Sequence, residues 1–232
     1  MNELIAAYDL DENGNAPELH PDLARYLTER AGLTMLQHPL LYQVPYFPTL
    51  AGLMNRIYAQ KQKRLHSLLD ENRIYEAVWL HERPWRFSVF EFHADDLSDK
   101  DYWSLAGEVW TDSENIWQNV GEWEEVLTAD RPLRRLLMTK DERASLAGMN
   151  PTLTIHRGTT ATYVGSPSLS WTLNRKRAEW FARRNLREGA VPLVITAQVQ
   201  KSEVVAYFSR RNEDEIVAHP TAIYGRTVET LP

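Results

Sequence analysis

From Thr152 onward the chain is written in short apolar stretches of strand length, with a single amphipathic helix among them. Residues 152–156, 191–199, 204–208, 215–218 and 223–228 read as strands. Residues 174–187 read as the helix, with Ala178, Phe181, Ala182 and Leu186 on its buried side and Gly189 to stop it. Regular alternation of strand and helix would indicate a doubly wound parallel sheet. One helix embedded in many strands favours an α+β fold with a mostly antiparallel or mixed sheet.

The first 150 residues have a different texture. Residues 1–17 form a polar lead, and residues 21–30 read as a short helix ended by Gly32. Pro39, Pro45 and Pro48 forbid a regular helix over 36–48 and suggest an extended, wrapping segment. A long amphipathic helix follows, with Thr49 as N-cap and Leu50, Leu53, Met54, Ile57, Leu65 and Leu68 on one stripe. Residues 86–92 alternate apolar and polar, as a strand would. Trp103, Trp110 and Trp117 recur every seven residues with Trp123 beyond, a spacing that favours helical core over a ligand-stacking platform. Ser98 is placed to cap the first of these helices. Thr111 with Glu114 spells a capping box that would break the helix near 111. Thr139 with Glu142 spells another, with Gly148 as the C′ residue of its helix.

Composition removes several classes of function. With no cysteine, the chain has no disulfide, zinc–thiolate site, iron–sulfur cluster or cysteine nucleophile, which suits a reducing cytoplasm. Seven scattered histidines form no His-x-x-x-His pair, so no metal is expected. The N-terminal residues show no basic region ahead of an apolar run, so no signal peptide is expected. Gln43, three prolines and Gly52 interrupt the apolar residues 39–54, so no membrane association is expected either. Charge is uneven: residues 1–150 carry 15 basic and 25 acidic side chains, residues 151–232 carry 11 and 7. The basic third could meet a nucleotide or other polyanion. Its densest run, five arginines and a lysine over 175–187, is equally readable as a solvated helix face.

Three short islands lie in that basic third. In His156-Arg157-Gly158, an arginine at a strand end can fork onto phosphate oxygens, and Gly158 would let a ligand approach the backbone. In Ser170-Trp171-Thr172, two hydroxyls share one face of an extended segment and can orient a carboxylate or contact a ribose. In Glu213-Asp214-Glu215, two carboxylates would share one face about 7 Å apart, an arrangement suited to acid–base work and to stabilising an oxocarbenium-like charge. Each island taken singly also reads as ordinary structure: a surface ion pair, a helix cap, a solvated charged turn.

Taken together and in this order, residues from Leu153 to about Pro220 resemble the arginine–serine–glutamate class of mono-ADP-ribosyltransferases, which includes bacterial binary toxins and vertebrate arginine-modifying ecto-enzymes. The aromatic-Arg-Gly motif of that class corresponds to His156-Arg157-Gly158. Its Ser-x-Ser/Thr motif corresponds to Ser170-Trp171-Thr172, and the Ala-x-x-Phe-Ala helix after it to Ala178 through Phe181-Ala182. Its Glu-x-Glu motif corresponds to Glu213-Asp214-Glu215. The likeness covers about a third of the chain, and the helices over 98–148 more loosely resemble the helical lobe of such enzymes. It implies a split-sheet catalytic domain over 96–232 (helical lobe 96–150, NAD-binding core 151–232) behind a mainly helical extension over 1–95.

The resemblance implies NAD as substrate and no metal. Arg157 would contact the NAD phosphates or the nicotinamide ribose, and the Gly158 backbone the nicotinamide amide. Ser170 would orient Glu215, with Thr172 supporting the strand edge and Phe181 beside the nicotinamide. Glu215 would hold the ribose 2′-hydroxyl and stabilise the charge left as nicotinamide departs, and Glu213 would orient or deprotonate the acceptor. Two departures stand out. His156 replaces the usual Tyr or Phe, and the loop before Glu213 has no aromatic for target recognition. Phe208 lies further back, with Arg210 and Arg211 in its place. The expected acceptor is a protein side chain, with Glu-x-Glu leaning towards arginine. The alternatives are a base in single-stranded RNA or DNA passing Arg210 and Arg211, or a catalytically silent fold used as a binding module. The expected context is a cytoplasmic toxin or phage-type effector, with room for an antitoxin or immunity partner.

Overall fold

A computed structural model describes residues 14–114, 116–184 and 186–232, so most of the polar lead expected over 1–17 lies outside the described residues. The chain divides into two compact units, Met1–Leu97 and Ser98–Pro232. No helix among the described residues is long and apolar enough to cross a membrane.

The first unit holds a small antiparallel sheet as well as helices. Helix α1 (Pro21–Ala24) starts on a proline and is capped by the His20 ring. It stops well short of Arg30 because Leu27–Arg30 (β1) turns back onto Leu33–His38 (β2). Ala31 and Gly32 both have positive φ, 51° and 79°, which makes the connection a two-residue hairpin turn of the right-handed-twist type. Gly32 therefore serves a hairpin, not a helix end. Residues 36–48 are extended, but as a second hairpin: Leu41–Pro45 (β3) pairs with β2. The three prolines sit where they cost no hydrogen bond of a regular interior: Pro39 in the turn, Pro45 at a strand end, Pro48 opening a 3₁₀ turn. Helix α2 (Ala51–Asp70) follows, and Thr49 is inside that turn and does not cap it. Ile74–Leu80 (α3) and Arg86–Phe92 (α4) complete the unit. The strand expected at 86–92 is helix α4, in which Phe87 and Phe90 are buried three residues apart while Phe92 is exposed. Leu23, Leu36, Leu40, Leu41, Met54 and Tyr58 form the core.

The second unit begins with Asp99–Asp112 (α5), capped by Ser98, then Val120–Thr128 (α6) and Lys140–Gly148 (α7). Trp103, Trp110 and Trp123 are fully buried, but Trp117 is 69% exposed, because α5 ends at Asp112 and the heptad no longer applies beyond it. The capping box expected at Thr111 is absent: its hydroxyl donates back to the carbonyls of Gly107 and Glu108. The box at Thr139 and Glu142 is present. Gly148 is the last helical residue of α7, and no left-handed C′ residue follows it.

A six-stranded sheet follows: Thr152–Thr160 (β4), Ser170–Thr172 (β5), Pro192–Gln200 (β6), Val204–Phe208 (β7), Glu215–Ala218 (β8) and Tyr224–Thr230 (β9). Its spatial order is β7-β8-β5-β4-β6-β9, and every pairing is antiparallel. One face buries Leu153, Ile155, Trp171, Ile195 and Ile216, with Met138 and Leu146 packed against them. On the other, Ala178 and Ala182 of helix α8 (Arg175–Arg184) pack with Val194 and Leu231. Leu186, expected on the buried side of this helix, is exposed. The fold is α+β with an antiparallel sheet.

Candidate functional site

Strand β4 pairs with β6 along nine residues, but it meets β5 through one residue pair, His156 with Thr172. The sheet is thus two three-stranded halves, β9-β6-β4 and β5-β8-β7, joined at a single point. A cavity of about 270 Å³ opens there, and all three sequence islands line it: Arg157 and Gly158, Ser170 and Thr172, Glu213 and Glu215.

Arg157 is half-buried, and its Nη1 donates to the Ser166 carbonyl at 2.8 Å. No carboxylate among the described residues forms an ion pair with it. Loss of solvent, with the like charge of Arg226 adding, lowers its pKa. A guanidinium without a counter-ion at a cavity wall can attract an anion. His156 donates to or accepts from the Thr196 hydroxyl at 2.9 Å. Burial, with Arg175 nearby, keeps the ring below its ordinary pKa, so it faces the cavity neutral at pH 7.

Gly158 lines the cavity and has a packing role as well. A Cβ there would point into α8, 1.9 Å from the Ala178 carbonyl oxygen and 2.5 Å from the Ala182 amide nitrogen. The glycine lets the helix come close. That approach brings Phe181 of α8 to the cavity wall, half-buried against Trp180 at 5.1 Å.

Ser170 and Thr172 share one face of β5 opposite β8. The Ser170 hydroxyl donates to Glu215. The Thr172 hydroxyl donates to the Glu213 carbonyl and accepts from the Asn174 amide at 3.0 Å, so it fixes the acidic loop and the entry to α8 together. Burial raises the Glu215 carboxyl above its ordinary range. The Ser170 hydrogen bond, the nearby Trp110 indole N–H and the charge of Arg211 pull it down, and the neighbouring Glu213 charge pushes it up.

The two glutamates are not on one face of an extended segment. Strand β8 starts at Glu215, Glu213 has helical backbone angles, and Asp214 has φ of 45°. They still reach the same cavity because the Tyr207 hydroxyl holds Asp214 at 3.0 Å and Thr172 holds the Glu213 carbonyl. The Glu213 carboxylate accepts from Arg177 Nη2 at 3.2 Å and lies 3.7 Å from Arg211 Nε.

The expected target-recognition residues are engaged within the unit. Phe208 is fully buried, stacked beside Trp110 with ring centroids 6.5 Å apart, and offers no surface to an acceptor. Arg210 donates to buried Glu142, the partner of Thr139 in the capping box. Desolvation pushes the Glu142 carboxyl up, and Arg210 and Thr139 more than reverse it, leaving it below its ordinary range. Arg211 donates to the carbonyls of Thr111 and Ser113 at the end of α5. Both arginines anchor the acidic loop to the helical lobe, as cations at a helix C-terminus and a buried carboxylate require.

Sequence reasoning missed two residues. Trp110, read as core, is 1% exposed, yet its buried indole N–H makes no hydrogen bond among the described residues while remaining near enough to Glu215 to favour its charge. The seven-residue tryptophan spacing identified its burial but not the direction of its N–H. Arg177 was one of a run read as a polyanion contact or a solvated face. It lies over the rings of Trp180 and Phe181 with Nε buried and unpartnered, and only the long-range Glu213 contact distinguishes it.

No protein-family model, curated protein or solved structure matches this chain.

Proposed function

We propose that the chain is an NAD-dependent mono-ADP-ribosyltransferase, that its split sheet is the ADP-ribosyltransferase-like fold, and that it acts as a toxin or effector inside a cell by modifying a protein side chain. The observation that carries this reading is the pairing, across one cavity, of an arginine without a counter-ion and a glutamate held by a serine. A pyrophosphate needs the first, and a ribose bond that develops positive charge as it breaks needs the second.

The residues fit NAD as a substrate. Arg157 offers its unpaired guanidinium to the phosphates, and Phe181 offers a ring edge or face beside the nicotinamide. Bound NAD supplies the leaving group, nicotinamide, at the ribose C1′. Ser170 keeps Glu215 turned into the cavity, where its carboxylate faces the developing charge and accepts from the 2′-hydroxyl. The Trp110 N–H, unpartnered in its buried position, adds a second donor as that carboxylate ionises. His156 stays neutral and places no competing cation beside the reacting carbon.

The test is nicotinamide release from NAD by the purified chain, with Glu215→Gln as the partner measurement. Release by the wild type and its loss in the variant are expected. Absence of both NAD binding and nicotinamide release in the wild type would remove the enzyme reading and leave a binding module. Label from NAD that nuclease removes and protease does not would move the acceptor to nucleic acid.

A further inference from the structure

The acidic loop carries an arrangement that bears on which nucleophile can take the ADP-ribose, and the inference rests on the ADP-ribosyltransferase reading above. Glu213 lines the cavity beside Glu215, where an acceptor would have to enter. One of its carboxylate oxygens, Oε1, is already occupied. Arg177 Nη2 donates to Oε1 at 3.2 Å and to the Arg211 carbonyl at 3.4 Å, while Arg211 Nε approaches the same Oε1 at 3.7 Å. Neither arginine is a loose surface side chain. The Arg177 guanidinium lies 4.7 Å from the Trp180 ring centroid and 5.5 Å from that of Phe181, and its Nε is out of solvent. Arg211 is fixed by the Thr111 carbonyl at 2.8 Å and the Ser113 carbonyl at 3.3 Å. The Glu213 side chain keeps only 15% of its surface in solvent.

We propose that Arg177, together with Arg211, is a specificity determinant that closes the Glu213 side of the cavity to cationic nucleophiles, so that ADP-ribose passes to an uncharged one, water included. A guanidinium or ammonium acceptor would have to displace Arg177 from Oε1 or take Oε2, and in either place it would sit against two like charges held by the fold. That is discrimination by a built-in repulsive element. An uncharged hydroxyl meets no such barrier. Its oxygen lone pair forms the bond to C1′ as the bond to nicotinamide breaks, nicotinamide leaves with that bond's electron pair, and the hydroxyl proton passes to solvent. Glu114 also lines the cavity, but it directly follows the Ser113 carbonyl that holds Arg211, so a cation approaching it meets one of the same like charges.

The probe is agmatine, a small guanidinium, in excess over NAD labelled in its adenine, with free nicotinamide and labelled products separated in the same reaction. Wild type should release nicotinamide and yield ADP-ribose without an agmatine adduct. Arg177→Met, which keeps an apolar stem against Trp180 and Phe181, should still release nicotinamide and should raise the adduct fraction at least tenfold. A second change, Glu213→Gln, should remove that gain. Arg177→Gln serves if the methionine variant does not fold. An agmatine adduct formed by the wild type as readily as ADP-ribose would overturn the proposal, and this arm needs no variant. So would folded Arg177 variants that release nicotinamide and form no adduct. No nicotinamide from any protein would instead bring down the enzyme reading, and the inference with it.

Discussion

An alanine at position 158 would set its Cβ 1.9 Å from the Ala178 carbonyl oxygen, 2.5 Å from the Ala182 nitrogen and 3.0 Å from the Ala178 carbonyl carbon. These are backbone atoms of α8 on one side and of β4 on the other, so no rotamer change relieves the overlap. The helix would have to retreat by about 1.5 Å to reach ordinary contact, which separates Ala178 and Ala182 from Val194 and Leu231. Overpacking of a core costs about 1–3 kcal/mol where side chains can adjust, and rigid backbone on both sides puts this case at about 3 kcal/mol or above. With a urea m-value of about 2 kcal/mol/M, the unfolding midpoint of the Ser98–Pro232 unit should fall by about 1.5 M. Nicotinamide release should fall with it, because Phe181 moves with the helix. Gly121→Ala is the control, since a Cβ there meets nothing within 4 Å and sits in helix α6. A Gly158→Ala protein with an unchanged midpoint would refute the packing argument. If such a protein instead showed a raised KM for NAD, the glycine would serve the ligand after all.

Three more outcomes follow from the same cavity. Glu215→Gln should raise thermal stability relative to wild type at pH 7. Because burial raises the Glu215 pKa, the folded wild type binds that proton more tightly than the unfolded chain, so its stability is greatest below the unfolded carboxyl pKa and is lost as pH rises through the folded one. The variant's advantage should shrink as pH falls, and melting curves showing the opposite trend would refute the assignment. Trp110→Phe keeps the ring but removes the N–H, so the acid limb of nicotinamide release should move to higher pH, with kcat down about 2- to 10-fold at the pH optimum and KM little changed. The charged groups facing Glu215 in that profile are Glu213, Arg211 and, through Glu213, Arg177; an unmoved limb would leave Trp110 a plain core residue. Arg157→Met should stabilise the ligand-free protein by about 1–2 kcal/mol in urea unfolding while abolishing NAD binding by calorimetry, because a desolvated cation without a counter-ion is replaced by a side chain that prefers burial. A destabilised Arg157→Met would show that the hydrogen bond to the Ser166 carbonyl outweighs the desolvation of the guanidinium.

What is legible in the sequence is local. The capping box of Thr139 and Glu142 needs residues three apart, and the boundaries of β7 and β8 follow from runs of Val, Ala and Ile between charged turns. The α+β class and antiparallel sheet follow from one helix among many strands. What is not legible depends on partners distant in sequence. Residues 86–92 are too short a run to separate the two periods, and only burial of Phe87 together with Phe90, three residues on, selects the helix. Arg210 and Arg211 look like a solvated turn until Glu142 and the end of α5, roughly 70 to 100 positions away, arrive beside them. Gly158 is required by a helix that starts seventeen residues later. Glu213 and Glu215 meet one cavity only because Asp214 adopts a left-handed backbone, which strand alternation does not anticipate.

The single pair of residues joining β4 to β5 also sets how the molecule should answer to occupancy. Two half-sheets that share one backbone rung are held by the side-chain core of Ile155, Ile195, Trp171 and Ile216 and by one ladder contact at the cavity. A ligand gripping Arg157 on one side and Glu215 on the other becomes a cross-tie between them, made of substrate instead of peptide. Amide hydrogens of β4 and β5 next to the seam should exchange fastest in the free protein and slow most when the cavity fills. The gain in folding stability should grow with the logarithm of ligand concentration.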